Sequence, residues 1–311
     1  MEIWTVIVTY NSTQWMKTCL DSILNSSLVP RIVVVDNNSA DDTTMIVQKL
    51  YPKVILLKSP ENIGFGQACN LGMKYALDEG AQYIVQMNDD AQLTESTLST
   101  LLHAAVNQPE FGIFIPLNIT YDGEIIDDLF AMELGKNGPS DLLNHALMGK
   151  MEEVYEVPVL PGAVLLVKRE VLIELGGFDP LFFVLGVEYD FCFRTAVSHW
   201  KVGFVPGAVV YHEYNKPKSG HSSKTVRKHL NDFYATSLFI LKKPDHSFLY
   251  MTFYEGMYFI YQFQLALTSG NWKRVIGITL AVSKIVKALP TVRKHRRICV
   301  MEHSPFLHAI P

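Results

Sequence analysis

The sequence predicts an α/β fold, in which a mostly parallel sheet carries helices on both faces and a helical extension follows at the C-terminus. Through the first hundred residues, short β-branched apolar runs alternate with stretches whose apolar residues recur every three or four positions. Strand and helix in alternation indicate parallel strands joined by crossover helices. Beyond residue 215 the chain becomes aromatic and basic with helical spacing, which predicts a separate C-terminal region.

The elements of the predicted sheet follow from these runs in order. Strands are predicted at 3–8, 31–35, 54–57, 83–87, 163–167, 202–205 and 209–211. Helices are predicted at 16–24, 43–51, 67–79, 168–175 and 188–198. Residues 133–152 show no clear period and are predicted to be irregular and mobile.

Composition excludes several classes of protein. The 311 residues are 49% hydrophobic and 19% charged, which excludes a disordered or low-complexity chain. The four cysteines lie far apart without a C-x-x-C pair, which indicates neither a disulfide framework nor a zinc cluster and suits a reducing compartment. The first ten residues lack the basic and small-residue features of a signal peptide.

Charge divides the chain into two parts. Residues 1–215 carry 12 Lys and Arg against 27 Asp and Glu, whereas residues 216–311 carry 15 against 4. An acidic first part can supply metal-binding and catalytic carboxylates, and a basic second part suits phosphate or anionic lipid. We therefore expect the two parts to meet different partners.

Three polar segments come directly after predicted strands: 9–11, 36–38 and 88–90. Ligands of parallel sheets bind at the carboxyl ends of the strands, so these segments are predicted to form one site. Asn88-Asp89-Asp90 can be a simple turn, but its position at a strand end favours a Mg²⁺ or Mn²⁺ site, completed by substrate phosphates.

Other motifs limit the kinds of binding site and reaction that the sequence allows. The glycine pair at 64 and 66 is followed by Cys69 where a dinucleotide loop has its third glycine, and no Walker loop or G-x-S-x-G elbow occurs. Asp179, Glu188 and Asp190 form a second acidic cluster, and on a helix at most one of Glu188 and Asp190 faces a given cleft. His212 follows a predicted strand and is either structural or a ligand of metal or phosphate.

Seven segments in order resemble the family 2 glycosyltransferases, which have the GT-A (Rossmann-like) fold, and in particular the bacterial rhamnosyltransferase-like members. The resemblance spans residues 3–215. The segments are VTYN (8–11), VDNNSADDT (35–43), ENIGFGQACNLGM (61–73), QMNDDA (86–91), LPGAVLLVKREVLIELGGFDPLFF (160–183), VEYDFCFR (187–194) and VVYHEY (209–214).

The resemblance implies roles for individual residues. It implies that Glu188 is the general base. Asp190 is the alternative, because the family's usual base motif is Glu-Asp-x-Asp, whereas residues 187–190 are Val-Glu-Tyr-Asp. Asp90 and His212 would hold the metal, and Gly162 and Ala163 would lie under the sugar and acceptor. The nucleotide would contact Thr9, Tyr10, Asn11, Asp36, Asn38, Asn62, Gly66, Asn70, Asn88 and Asp89.

The resemblance also implies a domain plan and an activity. Residues 1–215 would form the GT-A domain, with a nucleotide-sugar half at about 1–105 and an acceptor half at about 106–215, and residues 216–311 the helical C-terminal region. The expected activity is metal-dependent, inverting transfer of a sugar such as rhamnose from a nucleoside-diphosphate donor to a glycan or lipid-linked glycan, in cell-surface polysaccharide synthesis. The alternatives are a catalytically silent sugar-nucleotide or carbohydrate-binding module and a nucleotidyltransferase, although the opening loop of the latter is missing.

The C-terminal region predicts a membrane contact. Residues 248–267 are aromatic, but Glu255, Gln262 and Gln264 interrupt them, so a buried or dimer-forming helix is predicted rather than a membrane span. Residues 272–297 combine apolar positions with eight Lys and Arg and no acid, which predicts a basic amphipathic helix on an anionic leaflet. We expect a cytoplasmic, peripheral membrane enzyme, with a homodimer through these helices as an alternative and no nucleic-acid partner.

Overall fold

The computed structural model describes residues 1–212, 225–243, 246–298 and 305–307. Nine strands in this part of the chain form one sheet in the order β3-β2-β1-β4-β8-β6-β9-β5, with β7 paired to β9. They are β1 (Ile3–Thr9), β2 (Arg31–Asp36), β3 (Ile55–Lys58), β4 (Tyr83–Asn88), β5 (Ala91–Leu93), β6 (Phe111–Ile119), β7 (Tyr155–Glu156), β8 (Val164–Lys168) and β9 (Lys201–His212).

The first half of the sheet is parallel, as the alternation predicted. β1 lies between β2 and β4, and both neighbours run parallel to it. The register pairs Thr9 with Asp36 on one side and Val8 with Asn88 on the other. Because parallel strands end at the same edge, the three predicted polar segments lie side by side.

The second half of the sheet is mixed. β8 runs antiparallel to β4 and to β6, whereas β9 runs parallel to β6. The two short strands predicted at 202–205 and 209–211 are a single strand, β9, with a shift of register against β6 between Val205 and Val209. Such a bulge bends the strand without ending it.

Eleven α-helices occur among the described residues, and the α/β prediction with a helical C-terminal region is confirmed. They are α1 (Met16–Leu24), α2 (Thr43–Leu50), α3 (Phe65–Asp78), α4 (Thr97–Asn107), α5 (Asp128–Asn137), α6 (Leu142–Leu147), α7 (Arg169–Leu175), α8 (Val187–Ala196), α9 (Val226–Lys242), α10 (Phe248–Thr268) and α11 (Trp272–Ile298). A short 3₁₀ turn follows at Pro305–Leu307.

The segment predicted to be irregular at 133–152 is instead partly helical. It contains the end of α5 and all of α6. Asp127 caps α5, because its Oδ1 accepts a hydrogen bond of 3.0 Å from the backbone N–H of Phe130. The Phe130 ring is fully buried and anchors this helix. Both helices are short, so each contains too few residues for a helical repeat of apolar positions to be recognised in the sequence.

The core lies on the two faces of the sheet. Helices α1, α2 and α4 bury their apolar side chains on one face. Helices α3, α7 and α8 do so on the other face, in a cluster that continues into α9 and α11. The C-terminal helices therefore share a core with the predicted catalytic domain.

Helix α11 differs from the single-faced helix predicted at 272–297. Ile278, Ala281 and Ile285 are buried in the core shared with α9, whereas Ile276 and Val286 are exposed. Its apolar residues therefore point in two directions, and the prediction of one amphipathic face is wrong. By length and composition alone α11 could cross a membrane, and 28% of its most apolar window is buried.

Candidate active site

The turns after β1 and β2 are joined at the polar edge of the sheet. Asn11 and Asn38 have positive φ angles of 55° and 71°, a conformation that asparagine adopts more readily than most residues. The backbone N–H of Asn11 donates to Ser39 Oγ at 2.9 Å, and Asn11 Oδ1 accepts from the N–H of Ala40 at 2.8 Å. The carboxylate of Asp36 accepts from the N–H of Ser39 at 3.3 Å. Hydrogen bonds thus hold the predicted nucleotide residues in place.

Asn37, which the sequence analysis left without a role, connects this edge to the loop before α3. Its Nδ2 donates to Asn62 Oδ1 at 3.1 Å, and its Oδ1 accepts from the N–H of Ile63 at 2.9 Å. Gly64 follows with a φ of 85°, and the next N–H, of Phe65, donates to the carbonyl of Phe183 at 2.7 Å. The loop therefore contacts both the polar edge and residue 183.

Gly66 and Asn70, two predicted nucleotide residues, lie in the core instead. Asn70 is 1% exposed, and its side-chain amide makes hydrogen bonds to the backbone of Phe178 and Phe306. A Cβ on Gly66 would lie 3.2 Å from the side chains of Phe178 and Val187. The structure does not bring these two residues to the polar edge, because α3 turns this face toward the segment before α8.

The turn after β4 brings two carboxylates to the same edge. Asp89 is partly buried and accepts a hydrogen bond from the Ser12 hydroxyl, and loss of solvent raises the pKa of Asp89 to about 6. The Oδ1 of Asp90 lies 3.5 Å from Nε2 of His212. The antiparallel pairing of β5 with β9 sets Ala91 opposite His212, which explains this proximity. Thr9 Oγ1 is buried nearby at the end of β1, and Tyr10 is exposed.

His212 also faces a carboxylate that the sequence analysis missed. Its Nδ1 lies 3.7 Å from Oδ2 of Asp127, and neither atom has a hydrogen-bond partner among the described residues. Burial disfavours the charged imidazole, but the carboxylates of Asp127 and Asp90 outweigh it and raise the pKa of His212 to about 9. Asn118 Oδ1 is a further buried acceptor without a partner in the described part of the chain. Only the position of Asp127 before α5 could have signalled its role.

The residues at this edge fit a divalent cation only together with a substrate. The described residues contain no group of three His, Cys, Asp or Glu that could hold a metal alone. Asp90 and His212 supply a carboxylate and an imidazole 3.5 Å apart. Mg²⁺ bound through one or two carboxylates takes its remaining ligands from water and substrate phosphates. The donor set therefore suits a cation shared with a diphosphate.

A cavity of about 250 Å³ opens beside these groups. It brings together five residues predicted for the site, Asn88, Gly162, Ala163, Glu188 and His212. The remaining lining residues are Phe65, Asn118, Asp127, Leu129, Pro161, Val184, Leu185, Gly186 and Tyr189.

Glu188 stands in the first turn of α8 and lines this cavity. The helix begins after Gly186, whose φ of 87° turns the chain sharply at the cavity wall. Burial raises the pKa of Glu188 to about 7. A carboxyl group with that pKa can accept a proton near neutral pH, as a general base must.

Asp190, the alternative base, points away from the cavity. It is buried on the opposite side of α8, where its carboxylate lies 2.8 Å from Nε of Arg194 and 2.5 Å from Nζ of Lys242. Residues that are two positions apart on a helix have their side chains on different faces. The structure therefore does not bring Asp190 to the candidate site.

Comparison with known proteins identifies the family of this chain. The family model described as glycosyl transferase family 2 matches residues 4–176. The chain belongs to this family. The glycosyltransferase is 30% identical to an N-acetylglucosaminyl-diphospho-decaprenol L-rhamnosyltransferase of Mycobacterium tuberculosis, over 67% of the chain and 74% of the relative.

Two further relatives of this glycosyltransferase extend the comparison. A GalNAc(5)-diNAcBac-PP-undecaprenol beta-1,3-glucosyltransferase of Campylobacter jejuni is 26% identical, over 50% of the chain and 52% of the relative. The structure of a Pyrobaculum calidifontis mannosyltransferase, solved with GDP-Man and Mn²⁺, matches with a TM-score of 0.55 at 18% identity, over 99% of the chain and 85% of that protein. The last match concerns the fold alone.

Proposed function

We propose that this glycosyltransferase transfers a sugar from a nucleoside-diphosphate donor to a lipid-linked glycan, with inversion at the anomeric carbon. The observation that carries the proposal is that Glu188, with its raised pKa, lines one cavity with Asn88 and His212 at the carboxyl edge of the sheet. A proton acceptor and a diphosphate-binding edge are the two parts that a single displacement needs.

In the proposed reaction, the acceptor hydroxyl lies in the cavity and attacks the anomeric carbon as the donor's bond to the diphosphate breaks. Glu188 accepts the hydroxyl proton in the transition state, a contribution of about 10²–10⁴-fold. The turns at Asn11 and Asn38 hold the nucleotide at the edge, with Asp36 accepting from the base. One displacement inverts the anomeric centre. Asp127, the other carboxylate of the cavity lining, faces His212 in this proposal and takes no part as a nucleophile.

Asp90 and His212 would hold a Mg²⁺ or Mn²⁺ ion. When bound, such an ion neutralises the charge that grows on the leaving diphosphate. Asp127 faces the other ring nitrogen of His212 and would orient the imidazole for this role. Asp89 accepts from Ser12 and so holds the turn that presents Asp90.

The relatives support the proposed substrates. The names of the Mycobacterium tuberculosis and Campylobacter jejuni proteins describe acceptors in which a polyprenol carries a diphosphate-linked sugar. We extend that acceptor class to this chain, with rhamnose as the sugar to test first. A polyprenol-linked acceptor would place the enzyme at the cytoplasmic face of a membrane, where the basic C-terminal region meets anionic lipid.

Release of nucleoside diphosphate tests the proposal. The full chain is incubated with Mn²⁺, a panel of UDP-, GDP- and dTDP-sugars and a polyprenyl-diphosphate-linked sugar, and products are resolved by mass spectrometry. Acceptor-dependent diphosphate release with one donor supports the proposal, and NMR of the new linkage reports inversion. Release of pyrophosphate would indicate nucleotidyl transfer instead, and donor binding without any turnover would indicate the silent binding module.

A further inference from the structure

A second cavity, of about 330 Å³, lies beside the candidate active site. It is bounded by residues 181–185 and by helices α9 and α11. Val184 and Leu185 line both this cavity and the one that contains Glu188. A Cβ on Gly186 would lie 4.0 Å from the Cβ of Ala235 in α9. The two cavities are therefore separated by a single loop.

This loop, the 181–185 segment, is an exposed apolar patch. All five of its residues are Leu, Phe or Val, and the side chains of Phe183, Val184 and Leu185 are 58%, 50% and 45% exposed. The loop is nevertheless fixed, because the carbonyl of Phe183 accepts from the N–H of Phe65 at 2.7 Å. A contiguous apolar surface at the rim of a cavity is characteristic of a binding site.

Two cations stand in the wall of the same cavity. Arg227 lies in the first turn of α9 and Lys284 near the middle of α11, and both side chains are exposed. In the described part of the chain neither side chain pairs with a carboxylate. The Lys284 ammonium lies 5.8 Å from the ring of Tyr234, which also lines the cavity. The cavity thus combines apolar walls with two available positive charges.

We propose that this second cavity binds the diphosphate and the adjoining hydrocarbon of the lipid-linked acceptor. Arg and Lys are the side chains that bind phosphate oxygens, and the apolar loop contacts the hydrocarbon. The glycan then passes Val184 and Leu185 and reaches Glu188. The inference rests on the proposed function and assigns the place where that enzyme holds its lipid substrate.

Direct binding of farnesyl diphosphate to the full chain, measured by isothermal titration calorimetry, tests the inference without turnover. Arg227→Ala/Lys284→Ala should bind at least about tenfold more weakly than the wild type, because each hydrogen bond to a charged group contributes about a decade in affinity. The matched control is Lys228→Ala/Lys287→Ala, which removes two exposed charges from the same helices outside the cavity lining and should bind as the wild type does. Farnesol and inorganic diphosphate should each bind more weakly than farnesyl diphosphate.

Three results would overturn the inference. Competition by UDP or dTDP would mean that the probe occupies the donor site. Equal affinity of Arg227→Ala/Lys284→Ala and wild type would exclude the two cations. Equal weakening in both double variants would indicate general attraction of an anionic lipid. Turnover of the same proteins is also measured with the nucleotide-sugar donor and a water-soluble acceptor, which does not need the second cavity. This measurement separates the three results above from failure of the proposed function.

Discussion

The Nζ of Lys242, at the end of α9, lies 2.5 Å from Oδ1 of Asp190 in α8, and both side chains are almost completely buried. The same ammonium contacts the buried carboxylate of Asp179, whose Oδ1 lies 2.7 Å from Nδ1 of His295 in α11. These charges join α9 and α11 to the helix that carries Glu188. The C-terminal helices therefore support the candidate base from the side opposite the cavity.

Lys242→Met should destabilise the protein strongly. Removing one partner of a buried ion pair leaves the other charge uncompensated, at a cost of about 3–5 kcal/mol. Here two carboxylates, Asp179 and Asp190, would lose the same partner. Thermal unfolding followed by circular dichroism measures the effect, and Lys228→Met, an exposed position of α9, serves as control. Equal melting temperatures for the two variants would contradict a stabilising role of the cluster.

Mutation should distinguish the roles of the two acidic residues of α8. Glu188→Gln should keep the melting temperature and donor affinity but lower kcat by about 10²–10⁴-fold, since a general base acts in the transition state. Asp190→Asn should lower the melting temperature instead, because it weakens the contacts with Arg194 and Lys242. Steady-state kinetics and thermal unfolding on both variants check this. A folded Asp190→Asn with the larger loss of kcat would reverse the assignment.

Activity should rise with pH through neutrality. Burial raises the pKa of Glu188 to about 7, so its base form is the minor species below pH 7 and the major species above it. We expect kcat to fall as pH decreases below about 7 and to level off above it. The pH dependence of kcat at saturating substrate measures this decrease, the acidic limb of the profile. The Glu188→Gln variant should lack the acidic limb. An unchanged acidic limb in that variant would assign the titration to another group.

Asp90→Ala should weaken donor binding and abolish stimulation by Mn²⁺ or Mg²⁺. Asp90 and His212 together offer only two ligands, so loss of the carboxylate leaves the imidazole alone. Calorimetric titration of UDP with and without Mn²⁺ measures the loss apart from turnover. Asp128→Ala, an exposed position outside the cavity lining, is the control. Metal-dependent binding that survives Asp90→Ala would remove Asp90 from the metal site.

Much of the fold was predictable because it depends on local pattern. The apolar runs of β1, β2 and β4 mark buried parallel strands, and their shared edge places Thr9, Asp36 and Asn88 together. The helical extension was equally visible. The packing of that extension onto α8 was not, because Lys242 and Asp190 are 52 positions apart and their contact depends on the tertiary fold.

The site was only partly predictable for the same reason. Asp127 precedes a helix too short to show its period, so its one local signal, the position before α5, could not be recognised in the sequence. Asn70 lies in the segment at 61–73, whose resemblance to the family implied a nucleotide contact, but its amide bridges two backbone segments in the core. The general-base choice between Glu188 and Asp190 depended on which face of α8 looks into the cavity, and only the structure orients that helix.

Helix α10 should carry the membrane contact that the sequence analysis assigned to 272–297. Leu249, Phe253, Met257 and Ile260 project into solvent from α10, with Leu249 81% and Phe253 68% exposed. These four residues, the α10 face, recur every three or four positions and so share one side of the helix. A helix with such a face, next to a basic region, can lie in the plane of an anionic leaflet.

Co-sedimentation with phosphatidylglycerol vesicles tests the α10 face in the full chain. Truncation before α11 is unsuitable, because Ile278 belongs to the core. Phe253→Ser/Ile260→Ser should abolish binding at every salt concentration, whereas wild-type binding should weaken as salt screens the Lys and Arg of the C-terminal region. Met45→Ser/Leu50→Ser removes two exposed apolar side chains from α2 and should bind like wild type. If the α10 variant binds vesicles normally but elutes as a smaller species than wild type, then the α10 face joins two copies of the chain instead.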